Sequence, residues 1–165
     1  MANTKSQNAQ KEDKPLNLDT KVTLHSIADW STGFDKLTEL GEAMISPNGS
    51  IRLSRNEIIA QAQSGNKLIS GTDGVGSHAT LIIDDIPTRV ELGFESENSK
   101  QLVLDEDLVK RIFDHKSQSE FESVFKNSIQ TRAEKVSVMK LISKLGINDY
   151  KKIRFAEKYT GCPLE

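Results

Sequence analysis

The stretch LISGTDGVGSHATLIIDD, residues 68–85, decides how the middle of the chain is read. Gly71, Gly74 and Gly76 precede an apolar run that ends in Asp84 and Asp85. A phosphate cradle built on backbone amides needs a strand, a glycine turn, and then a helix whose N-terminus faces the anion. Here the glycines lead into HATLIID, which is strand-like, so the helix is missing. The Walker spacing with its Lys-Ser/Thr ending is absent, and the glycine spacing runs opposite to the dinucleotide fingerprint. Glycines that allow positive φ in a turn explain the stretch without any ligand. The stretch therefore reads as a tight turn between strands.

Working outward, KLIS (67–70), HATLIID (78–84), TRVELGF (88–94) and KQLVL (100–104) are runs rich in Val, Ile, Leu and Thr between turn-forming residues. They predict a small antiparallel β-sheet of about four strands within residues 67–104. In TRVELGF, Val90, Leu92 and Phe94 alternate with Arg89, Glu91 and Gly93, as in a sheet with one wet face. Upstream, VTLHSIA (22–28) predicts a strand. STGFDKLTELGEAMI (31–45) sets Phe34, Leu37, Leu40, Met44 and Ile45 at helical spacing and predicts a helix. A short IRL (51–53) follows, then Ser54 to Glu57, a capping-box pattern opening a helix over 56–63.

Downstream the chain reads as helix. Asp105 can cap EDLVKRIFDHK, with Leu108, Val109, Ile112 and Phe113 facing inward. Ser119 to Glu122 and Thr131 to Glu134 are two further capping-box patterns, Gly146 suits a helix C-terminus, and Asp149 can cap a last helix through Tyr159. The fold class is α+β: a small antiparallel sheet packed with N-terminal helices and a helical segment over 105–161. Residues 1–20, rich in Asn, Gln, Ser and Lys, read as a disordered tail before a single domain over 21–161.

SGTDGVG, residues 70–76, resembles the glycine-rich loop of the aminoimidazole ribonucleotide synthetase family. The resemblance implies that Asp73 helps hold magnesium and nucleotide phosphates, with Gly71, Gly74 and Gly76 around them. It spans seven residues and departs at Ser77-His78, where that family continues with Thr-Lys.

Other chemistry is sparse. Asp84 and Asp85 follow the apolar run, with Asp73 and His78 near them in sequence, but adjacent strand residues point to opposite faces, so a solvated Asp-Asp-Ile-Pro turn accounts for the pair. His25, His78 and His115 lack the spacing of zinc ligands, and the single cysteine, Cys162, can build neither an internal disulfide nor a thiolate site. No metal or cofactor is expected. No apolar run approaches the roughly 20 residues of a bilayer span, and residues 1–19 hold no signal-peptide core, so the cytoplasm is the expected compartment.

The charge pattern is the clearest functional signal. The 165 residues carry a net charge of −2, which predicts no global attraction to nucleic acid or membrane. Residues 81–125 nevertheless hold eleven acids against five bases, and residues 126–160 hold nine bases against three acids. Within the basic part, VMKLISKLGINDYKKIRFAEKY has the outline of a helix-turn-helix. Lys151, Lys152, Arg154 and Lys158 could meet phosphates, with Lys140 and Lys144 on the first helix and Asn148 and Tyr150 near the groove. Lys152 sits where such motifs usually place an apolar residue. The expected function is a non-enzymatic binding protein that contacts nucleic acid through this hairpin. One alternative is a protein–protein module using the acidic and basic faces; another is a nucleotide-binding enzyme using Gly71, Asp73, Gly74 and Gly76.

Overall fold

The computed structural model describes residues 14–165, so most of the predicted 1–20 tail lies outside the described residues. Its last part does not: Arg55 N donates to Thr20 O at 2.8 Å and Asn56 N to Leu18 O at 2.9 Å, tying residues 17–20 to the first helix.

The fold is α+β with antiparallel sheets, as expected, but the strands lie elsewhere. β1 (Lys21–Ser26), β4 (Ser50–Ser54) and β5 (Leu81–Ile83) form a three-stranded sheet in the order β4-β1-β5. β2 (Thr32–Asp35) and β3 (Glu42–Ile45) form a separate two-stranded hairpin. Only β5 falls within 67–104. β1 alternates as a half-buried strand should, with Val22, Leu24 and Ser26 inside and Lys21 and His25 outside.

Four expectations are overturned here. Residues 31–45 form the β2–β3 hairpin rather than a helix. Ala43 and Ile45 are buried while Glu42 and Met44 point outward, and Gly33 lets the strands close up, since a Cβ there would lie 2.9 Å from the backbone oxygen of Ala43. KLIS is the one-turn helix α2 (Lys67–Ser70), whose cap Asn66 accepts from Leu68 N at 3.1 Å. The first four residues of TRVELGF belong to α3 (Ile86–Glu91) and the last three to the turn after it, because Asp85 caps the helix by accepting from Thr88 N at 3.0 Å and Pro87 fits its first turn. KQLVL is irregular chain.

The capping signals fare better. Ser54 caps α1 (Arg55–Gln63), Asp105 caps α4 (Glu106–Phe113), and Asp149 caps α7 (Tyr150–Thr160). Thr131 and Glu134 close a true capping box at the head of α6 (Arg132–Lys144). α5 (Gln118–Ser128) starts two residues earlier than expected, on Ser117 rather than Ser119.

Two apolar cores result. One sits under the sheets, with Leu24, Ile58, Ile69, Leu81 and Ile83 fully buried. The other fills the space among α4 to α7 around Phe121, Phe125, Ile129 and Ile142. Burying each such side chain contributes roughly 1.5–3 kcal/mol. Between the cores the described contacts include polar ones: His78 Nδ1 to Glu134 Oε1 at 2.8 Å, Lys140 Nζ to Asp29 Oδ2 at 3.3 Å, and Arg132 over the Trp30 ring at 4.9 Å. Among the described residues, no helix is long and apolar enough to cross a membrane.

Candidate nucleic-acid interface

The helix pair α6–α7 is set by its ends. Gly146, at φ 61°, turns the chain after α6, and Asp149 Oδ1 accepts from Lys152 N at 3.2 Å to start α7. That amide, with Lys152's ammonium beside it, holds the Asp149 carboxyl below its ordinary range. The pair does not present all the residues expected of it. Lys152 is buried: its Nζ donates to Phe113 O at 2.6 Å, lies 3.4 Å from Asp149 Oδ2, and sits 5.6 Å from the Phe121 ring centre. An apolar position is thus filled by a lysine whose stem packs and whose head is satisfied locally. Lys140 is paired with Asp29, and Lys144 with Glu106 at 2.6 Å.

What remains outside is one face of α7. Tyr150, Arg154 and Lys158 follow at helical spacing with Lys151 beside them, all exposed, and Asn148 is exposed in the turn before them. The ion pairs among the described residues leave out Lys151, Arg154 and Lys158. Tyr150 is 70% exposed, and the Arg154 guanidinium lies 5.7 Å from its ring centre.

Sequence reasoning missed the cations next to this face. Lys126 of α5 lies 5.5 Å from the Phe155 ring centre, and Lys135 of α6 lies 4.8 Å from that of Tyr159. The two rings are nearly parallel, 6.1 Å apart, and Tyr159 Oη donates to Ile129 O at 2.8 Å. The i,i+4 spacing of Phe155 and Tyr159 was a readable signal. Nothing local foretold Arg132 on Trp30. A shallow groove of about 770 Å³ lies along this side, lined by Arg154, Phe155, Glu157, Lys158 and the 161–163 turn.

The glycine-rich loop closes on itself. Asp73 Oδ1 accepts from Val75 N at 2.9 Å and Ser77 N at 3.1 Å, Thr72 N donates to Ser77 O, and Gly76 N donates to Ser70 O at 2.7 Å. Partial burial raises the Asp73 pKa, but the bonds from Ser77 and Val75 outweigh it and leave the carboxyl lower than usual. An anion cradle needs convergent free N–H groups, and here most are engaged within the loop. Gly71 and Gly76 are required by shape: a Cβ on Gly71 would lie 2.0 Å from Ser77 O, and one on Gly76 would lie 2.7 Å from the Phe94 ring.

Asp73, His78 and Asp84 are not brought together, since each is engaged by a different group. His78 bonds to Glu134, and Asp84 Oδ2 lies 3.3 Å from His25 Nε2. Asp85 is no solvated turn residue but a half-buried cap bound to Thr88 and, at 3.1 Å, to Arg55. Ser50 Oγ lies 2.6 Å from His25 Nδ1, so Ser50, His25 and Asp84 form a hydrogen-bonded set that the sequence did not reveal. Cross-strand pairing of His25 with Ser50 creates it. His25 and Asp84 side chains are 51% and 68% exposed, on an open sheet face without the water-excluded setting that strengthens such chemistry.

Compared with protein-family models, curated proteins and solved structures, the chain matches none of them.

Proposed function

We propose that this chain is a non-enzymatic, cytoplasmic binding protein that contacts nucleic acid through the outer face of α7. The observation that supports the reading is the stripe of Lys151, Arg154 and Lys158, cations that the described ion pairs leave free, beside an exposed Tyr150. Free cations on a rigid helix can neutralise phosphates without first breaking an ion pair. Lys140, Lys144 and Lys152 drop out of the reading because each already has a partner.

The test is binding of mixed-sequence duplex and single-stranded DNA across a salt series, with Lys151, Arg154 and Lys158 replaced together by alanine. Affinity should fall steeply with salt, and the triple variant should bind more weakly and with a shallower salt slope. Binding of neither DNA at low salt would remove this reading.

A second reading, a partner-protein module, is favoured by the β2–β3 turn. Leu40 is fully exposed and Leu37 is 55% exposed, while the Leu37 and Thr38 amides beside them donate to the buried Glu57 carboxylate. Loss of a partner on Leu40→Asp, with the fold intact, would support it.

A further inference from the structure

The outer face of α7 is one end of a longer surface. Tyr150 carries Arg154 on its ring, and Arg154 adjoins Phe155, which carries Lys126. Phe155 stacks on Tyr159, one helical turn on, and Tyr159 carries Lys135. Arg132 stands one turn before Lys135 on α6 and lies on Trp30, beyond the helix pair, after β1. Rings and cations therefore recur along a track from Tyr150 to Trp30, with the middle rings, Phe155 and Tyr159, half-buried and packed edge-on against Phe121 and Phe125 of the core. Its stretch on α7 alone, from Tyr150 to Tyr159, is about 14 Å long. Of the acids near it, Asp149 lies 3.4 Å from Lys152 Nζ, Asp29 pairs with Lys140, and Glu157 accepts from Leu164 N at 3.0 Å.

From this arrangement, and resting on the nucleic-acid reading above, we propose that the ligand is a single strand rather than a duplex. A duplex offers a protein its phosphates and base edges, and the flat faces of its bases are stacked away. A single strand exposes those faces, which settle on aromatic rings and on guanidinium groups while cations follow the backbone. The track supplies both parts. Tyr150 and Trp30 are its end platforms, and Arg154 and Arg132, poised over their rings, join Lys126, Lys135, Lys151 and Lys158 as the phosphate contacts. Its course from α7 across α6 to Trp30 suits a strand laid along a surface better than a helix pushed into a groove.

Trp30 is the chain's single tryptophan, so its fluorescence reports directly on one platform. The experiment titrates the full chain into end-labelled oligo(dT), oligo(U) and a duplex of mixed sequence across a salt series, reading affinity from the anisotropy of the label with Trp30 emission alongside, then repeats it by anisotropy in Trp30→Ala, Tyr150→Ala and Arg132→Ala. Far-ultraviolet circular dichroism checks that each variant folds. The proposal expects either single strand to bind more tightly than the duplex and to quench Trp30. Each aromatic variant should lose about 5- to 150-fold in single-strand affinity while keeping the salt slope. Arg132→Ala should lower that slope by about 0.7. Duplex binding as tight as single-strand binding, with Trp30 emission unchanged, overturns the proposal and leaves the nucleic-acid reading standing. Binding of neither at low salt overturns both.

Discussion

His78 Nδ1 lies 2.8 Å from Glu134 Oε1, and both side chains are more than nine-tenths buried. This contact joins the residue that ends the glycine-rich loop to the first turn of α6. Glu134 uses its other oxygen, Oε2, to accept from Gln130 N at 2.8 Å and Thr131 N at 2.9 Å. One carboxylate therefore caps a helix and holds the two cores in register.

Removing it should be costly on both counts. Glu134→Ala is expected to destabilise the fold by on the order of 3 kcal/mol, since it opens the capping box and leaves His78 buried without its partner. A double-mutant cycle with His78→Ala, read by urea denaturation, should return a coupling of about 1 kcal/mol or more. Additive losses would show that the two residues act independently.

Glu57 makes acid stability measurable. Burial pushes its pKa up, but bonds from the Thr38 hydroxyl, Gln61, and the Leu37 and Thr38 amides prevail and bring it from 4.5 to about 2. Its folded value is the lower one, so the stability it contributes is fully present above pH 4.5 and is lost as pH falls towards 2. The contribution is on the order of 3 kcal/mol. Glu57→Gln should be less stable at neutral pH and show a flatter decline across that window, followed by denaturant midpoints. An unchanged slope would mean that the β2–β3 turn does not depend on this carboxylate.

The lysines of α7 should separate into two classes. Lys152→Met is expected to cost about 1–3 kcal/mol of stability, because Phe113 O loses its buried donor, and to leave the salt dependence of nucleic-acid binding unchanged. Replacing Lys151, Arg154 and Lys158 by alanine should do the reverse, changing stability by about 0.5 kcal/mol per site at most and lowering the salt slope by about 2–3. Thermal melts and salt titrations on the same samples decide the matter.

Gly71 tests the loop. Its φ of 72° and ψ of −164° fall where only glycine is comfortable, and the space for a Cβ is taken by Ser77 O. Gly71→Ala should destabilise by about 2 kcal/mol or more. Gly74→Ala, at φ 81° but with open space around it, should cost less. Equal losses would mean that backbone strain alone, without the clash, governs the loop.

The sequence by itself determined the helical third and the α+β class. Asp105, Thr131 with Glu134, Gly146 and Asp149 act through bonds and dihedrals within a few residues, so their signals are local and complete. Long apolar stripes such as Leu108, Val109, Ile112 and Phe113 fit only one periodicity. Before residue 105 the strand in VTLHSIA and the Ser54-capped helix were legible too, and the tertiary structure decided the rest. Short apolar runs such as KLIS and TRVELGF fit a strand or one helical turn equally well, and caps at Asn66 and Asp85 tipped them to helix. Residues 31–45 carry a helical stripe, yet Glu57, distant in sequence, captures the turn amides and stabilises a hairpin. Lys152 reads as a phosphate contact until Phe113 O, thirty-nine residues away, is seen to take its proton donors. The Trp30–Arg132 pair, which extends the candidate surface beyond the helix pair, joins two segments that meet only once the chain has folded.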